Sequence, residues 1–202
     1  TNPENITADF EQALKLDPKY VPALQQLAAL QAARHKYDEA LSTLDRLDAA
    51  GDPTFSTRLM RGQVQAQQGK AGPARESYAA ARALAKGNAN ALNSLCWSEA
   101  TVGSAPDEAL KDCDAALAVA PDIPAFVDSR GLALLKLKRY QEAVASYDVA
   151  IAKAPKQTSS LYGRGIAKLR LGRQAEGEAD IAAAREIEPS VGSRFAEYGV
   201  QR

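Results

Sequence analysis

Residues Arg130 to Pro155 read RGLALLKLKRYQEAVASYDVAIAKAP, two stretches of helical apolar spacing broken near Lys138-Arg139. Small residues fall at Gly131, Ala143 and Ala150, an aromatic at Tyr147 and a helix-stopping proline at Pro155. The same residue types return at a fixed distance in both directions. Ala143 is matched by Ile6, Ala40, Ala74, Ala109 and Gly177. Tyr147 is matched by Phe10, Leu44, Tyr78, Cys113 and Ile181, and Ala150 by Ala13, Leu47, Ala81, Ala116 and Ala184. Pro155 is matched by Pro18, Pro121 and Pro189, with Pro53 one place late. The steps are 34, 34, 35, 34 and 34 residues in three independent columns. A period of this length marks stacked helix pairs, each unable to bury its apolar face alone.

With these columns the chain resembles the tetratricopeptide repeat family. That motif has small residues at its eighth, twentieth and twenty-seventh places, a bulky apolar residue at the twenty-fourth and proline at the thirty-second. Gly131, Ala143, Ala150, Tyr147 and Pro155 fill those places in one repeat, and Gly165, Gly177, Ala184, Ile181 and Pro189 in the next. The resemblance implies an all-α fold, a right-handed superhelix of antiparallel helix pairs. It spans nearly all 202 residues and divides them into a half repeat at 1–20, full repeats at 21–54, 55–88, 89–123, 124–157 and 158–191, and a cap at 192–202. The half repeat carries only a second helix, so further chain is expected upstream, or else a native N-terminal cap. The extra residue of the third repeat is expected in the turn Gly103-Ser104-Ala105-Pro106, because turns accept insertions at small entropic cost. At the far end Val191, Phe195 and Tyr198 stand at helical spacing and suit a segment covering the last repeat.

Charge and composition narrow the function. Lysine plus arginine equals aspartate plus glutamate, 25 against 25. This balance argues against a nucleic-acid binder driven by counterion release and against a polybasic membrane surface. No apolar run approaches the roughly 20 residues of a membrane-spanning helix. His35 is the single histidine and sits in a turn without cysteine neighbours, so no metal or catalytic triad is expected. The acidic pairs Asp38-Glu39 and Asp107-Glu108 open second helices, where they suit the positive end of the helix dipole rather than proton transfer. Arg61, Arg130 and Arg164 each precede the eighth place; the expectation is that their heads pair with acids of a neighbouring repeat, the alternative being a column that binds an anionic ligand. No cofactor is implied.

Cys96 and Cys113 are the only cysteines. They occupy the eighth and twenty-fourth places of one repeat and should face one helix–helix seam. Reduced, they fill space; oxidised, they can bond if their Cα atoms lie within about 7 Å.

In the family the concave wall is lined by the side of the first helices turned away from their partners. Here it reads Gln25, then Leu59 and Gln63, then Asn93 and Trp97, then Asp128, Leu132 and Lys136, then Tyr162, Ile166 and Arg170. Family members that grip chaperone C-termini use lysine at place five and asparagine at place nine. Asp128 and Leu132 stand there in the fourth repeat, so that activity is not carried over. From Trp97 onward the wall is an apolar stripe with Asp128, Lys136 and Arg170 at its edge. An exposed stripe of this size marks a binding surface; the alternative is cover by residues 195–200 or by an upstream domain. The function expected is a non-catalytic protein–protein interaction module holding a peptide or partner helix. The alternative is the recognition arm of a larger bacterial enzyme. The run SLYGRGIAKLRLG resembles the ends of bacterial tetratricopeptide proteins, some with upstream transglutaminase-like domains, and implies a bacterial cytoplasm or periplasm without choosing between them.

Overall fold

A computed structural model describes residues 3–51, 53–103 and 105–202, with side chains from Thr7 onward. Twelve helices and no strands occur among the described residues. Residues 1–84 and 85–202 form two compact units. The first holds α1 (Pro3–Leu16), α2 (Val21–Ala33), α3 (Tyr37–Ala49), α4 (Phe55–Gln67) and nearly all of α5 (Ala71–Ala85). The second holds α6 (Ala89–Thr101), α7 (Pro106–Val119), α8 (Pro124–Lys136), α9 (Tyr140–Lys153), α10 (Thr158–Arg170), α11 (Gln174–Ile187) and α12 (Val191–Glu197). In the second unit each first helix packs on its own second helix and on the first helix of the next pair: α6 meets α7 and α8, and α8 meets α9 and α10.

The recurring small residues explain the pairing. A Cβ added at Gly131 would come within 2.6 Å of the Tyr147 ring, and one at Gly62 within 2.7 Å of the Tyr78 ring. Real Cβ atoms essentially never approach that closely, so the aromatic of the second helix takes the volume that glycine vacates on the first. Tyr147 also lies against Gly163 of the following pair, where an added Cβ would stand 2.4 Å from its hydroxyl. One ring thus locks two successive pairs. The alanines at places 20 and 27 are the other half of the seam: Ala40, Ala109, Ala143, Ala81, Ala116, Ala150 and Ala184 are all fully buried.

The turns inside the pairs share one geometry. His35, Gly69, Lys138 and Gly172 occupy the same place with φ of 57°, 74°, 59° and 77°. Each closes its helix with a pair of backbone bonds. At Lys138 these run from Arg139 N to Leu134 O at 2.9 Å and from Lys138 N to Leu135 O at 3.0 Å. Three residues join these helices, whereas four join α6 to α7. Gly103, at the corresponding place, does not take positive φ; Ser104 lies outside the described residues.

The arginine column staples one pair to the next. Arg61 donates to Asp45 at 2.7 Å, Arg130 to Asp114 at 2.7 Å and Arg164 to Asp148 at 2.8 Å, the partner always sixteen residues earlier. Arg164 also holds Asp180 through two bonds of 2.7 and 2.6 Å. The acidic residues opening second helices serve the helix ends. Glu39, Glu142 and Glu176 each pair with a cation three residues earlier, Lys36, Arg139 and Arg173.

Candidate functional site

The wall residues fall into two groups. Gln25, Leu59 and Gln63 are half-buried on the first helices of residues 1–84. In residues 85–202, α6 carries Asn93 and Trp97, α8 carries Asp128, Leu132 and Lys136, and α10 carries Tyr162, Ile166 and Arg170. These eight share the face of the first helices, but they are not an open surface. Leu132, Tyr162 and Ile166 are only 2%, 3% and 1% exposed.

The cover is the C-terminal segment. The Phe195 ring packs on Tyr162 at 4.9 Å between centroids, and Tyr198 meets the edge of Trp97 at 5.5 Å. Phe195 and Val200 join the same core as Leu132, Tyr162 and Ile166, with Trp97 packed at its margin. Of the two readings of the stripe, free surface or cover by residues 195–200, the structure therefore has the second. An apolar face of this size is buried by whatever apolar chain is near, and α12 delivers Phe195, Tyr198 and Val200 to it.

Gly199 lets the segment bend there. Its φ of 73° ends α12, and Val200 N donates to Phe195 O while Gly199 N donates to Ala196 O, both at 2.9 Å. This is a left-handed helix stop in which glycine avoids the Cβ penalty. The chain beyond α12 is then held by its backbone. Lys136 Nζ donates to Tyr198 O at 2.5 Å, and Arg170 Nη2 donates to Gln201 O at 3.1 Å. Partial burial holds the Lys136 ammonium below its ordinary value.

Asp128 departs from its expected role at the edge of the stripe. It is 5% exposed and accepts bonds from Ser160 Oγ at 2.5 Å and Ser159 Oγ at 2.9 Å. Burial pushes its carboxyl above the ordinary aspartate value, and the two serine bonds only partly oppose that shift. Asp128 therefore ties α8 to the first turn of α10 and offers little to a ligand. Asn93 is half-buried with its Oδ1 shielded from solvent and without a hydrogen-bond partner. The sequence offered residues 195–200 both as a cap on the last pair and as cover for the stripe, and the segment does both, reaching Tyr162 on α10 and Trp97 on α6.

Cys96 and Cys113 are joined in a disulfide, with Cα atoms 5.2 Å apart. The bond spans the α6–α7 seam at the two places where Gly131 and Tyr147 pack in the next pair. His35 is an exposed turn residue whose Nδ1 lies 2.6 Å from the Tyr37 hydroxyl. No cluster of three metal-ligating side chains occurs among the described residues, and no helix there is long and apolar enough to cross a membrane.

Two sequence profiles, both described as tetratricopeptide repeat, match the chain. One covers residues 2–55 and the other residues 101–158 and 130–191. The chain carries tetratricopeptide repeats. No curated protein matches the sequence. Solved tetratricopeptide structures share the fold at low identity. YrrB, described as a protein with an unusual peptide-binding site, is 14% identical over 95% of this chain and 98% of its own, with a TM-score of 0.57. A thermophilic protein from Thermus thermophilus is 20% identical over 89% and 97%, with a TM-score of 0.67. A tetratricopeptide repeat protein from Parabacteroides merdae is 16% identical over 96% and 84%, with a TM-score of 0.68.

Proposed function

We propose that this chain is a non-catalytic interaction module that binds an extended polypeptide segment across α6, α8 and α10. Its own C-terminal segment is the occupant of that groove in the structure. The observation that carries this reading is the pair of main-chain contacts, Lys136 to the Tyr198 carbonyl and Arg170 to the Gln201 carbonyl. Side-chain cations donating to backbone carbonyls can hold any polypeptide of suitable shape, while the aromatic places select what fits. Trp97 and Tyr162 supply rigid apolar contact area of the kind that anchors interfaces. The balanced charge favours a protein ligand over a nucleic acid. The peptide-binding site named for YrrB is consistent with the same use of the fold. A partner must displace the segment, so its apparent affinity is reduced by the fraction of time the groove is closed.

A random peptide library selected on the full chain and on its Tyr198→Ala variant tests this. Tyr198 is half-exposed at the margin of the core, so the variant loosens the segment while leaving the buried Phe195 and Val200 in place. Selected peptides should bind the variant more tightly than the parent and change the fluorescence of Trp97, the only tryptophan. Failure to recover any peptide on either protein overturns the proposal.

A further inference from the structure

The C-terminal segment leaves one part of its groove electrostatically unmet. A cavity of about 210 Å³ opens beside Gln201, lined by Lys136, Lys138 and Arg170 together with Leu135 and Ile166. Among the described residues none of these three cations is paired with a carboxylate; Lys136 and Arg170 meet the backbone carbonyls of Tyr198 and Gln201. By contrast Arg130, Arg139, Arg164, Lys168, Arg173 and Arg194 each meet a carboxylate. The segment brings no acid to the cavity. The residue it places there is the neutral Gln201, and the Arg202 guanidinium turns to Glu178. Lys136 is partly desolvated and Arg170 receives only a neutral carbonyl. A carboxylate would make the stronger, charge-assisted bond there.

Resting on the reading of the groove as a peptide site, we infer that its partner is a protein segment of the pattern aromatic-x-x-aromatic-Gly-aliphatic followed directly by an acidic side chain. The apolar part of the pattern is what Phe195, Tyr198, Gly199 and Val200 satisfy in cis. Phe195 and Val200 are 2% and 9% exposed. A Cβ at Gly199 would stand 3.3 Å from Lys136 Nζ, so the glycine admits both the bend and the lysine. The acid is what the cis segment lacks, and it gives a partner the advantage needed to displace that segment. The three cations stand at places 13 and 15 of their repeats, away from the places at which the family's chaperone-binding members grip carboxylates.

Two acetylated and amidated peptides test the inference by titration of Trp97 fluorescence in the full chain and its Tyr198→Ala variant. One is SRFAEYGVQR, copied from residues 193–202; the other differs only by Gln201→Glu. The acidic peptide should bind at least about tenfold more tightly, an advantage of roughly 1.4 kcal/mol, and the difference should shrink as salt is raised. Combined Lys138→Gln and Arg170→Gln substitution should reduce the advantage to within about twofold, whereas Lys156→Gln, an exposed cation elsewhere, should leave it unchanged. Equal affinity of the two peptides overturns the inference while leaving the groove as a peptide site. An advantage that survives the double substitution, or is lost equally with Lys156→Gln, also overturns it. Failure of both peptides to bind either protein overturns the groove reading and the inference with it.

Discussion

Residues 1–84 and residues 85–202 repeat one architecture yet treat their first-helix faces differently. In the first region the face carries Gln25, Leu59 and Gln63, all half-buried and mostly polar. In the second it carries Leu132, Tyr162 and Ile166, all buried beneath Phe195 and its neighbours. The seams are alike: Gly62 admits Tyr78 as Gly131 admits Tyr147. The repeat motif thus fixes how helices pair and leaves the exposed face free to vary. Where that face is apolar it must be covered, by the chain itself or by a partner. Polar wall residues carry no such requirement.

The largest test of this contrast removes the cover. Phe195→Ala should cost roughly 3–5 kcal/mol, read by urea unfolding through Trp97 fluorescence. Gln63→Ala in the polar region should stay within about 0.5 kcal/mol. Equal effects would erase the distinction.

The disulfide belongs only to the second region. It closes a span of 17 residues, a loop for which chain entropy gives about 3 kcal/mol. Reduction should therefore lower the unfolding midpoint reported by Trp97. A reduced protein with the same midpoint would mean the two sulfurs act only as space-fillers.

The shared seam gives the next test. Ala143→Leu and Ala74→Leu should each overpack it and cost roughly 1–3 kcal/mol. Ala143 is fully buried and Ala74 only 4% exposed, so similar losses are expected in both regions. A tolerated leucine in one region alone would show that the seams differ after all.

A pH dependence should follow from Asp180. Burial alone would raise its carboxyl, but hydrogen bonds from Arg164 and Lys168 outweigh that and hold it below the ordinary aspartate value. Its folded value is depressed, so its contribution is full above the unfolded value and is lost as pH falls through the lower folded one. Melting curves of Asp180→Asn should show a shallower acid limb than the parent. Parallel acid limbs would remove Asp180 from the account.

The smallest effect has the opposite sign. The Tyr147 hydroxyl is buried with no hydrogen-bond partner, and burial, with the Asp128 charge behind it, pushes its ionisation well above the ordinary tyrosine value. Tyr147→Phe removes an unsatisfied polar atom and keeps the ring between Gly131 and Gly163. Stability should be unchanged or rise by up to about 1 kcal/mol. A clear loss would reveal a partner for that hydroxyl.

The sequence by itself determined the helix pairs, because pairing depends on side-chain volume at fixed spacing and volume is written residue by residue. Gly131 against Tyr147, Ala143 and Ala150 were legible for that reason; the arginines were legible as a column seeking acids of a neighbouring repeat, but the aspartates sixteen residues back were not. The stripe of Trp97, Leu132, Tyr162 and Ile166 was legible as a face, but spacing left free exposure and cover by residues 195–200 equally open. Asp128 read as a solvated edge, although Ser159 and Ser160, one pair later in sequence, draw it inward. Whether Lys136 holds a partner or the carbonyl of Tyr198, 62 residues away, depends on where the chain bends after α12. That bend rests on the backbone at Gly199, and only the tertiary structure decided it. Local spacing encodes contacts that repeat, whereas this contact occurs once and joins residues whose separation follows no period.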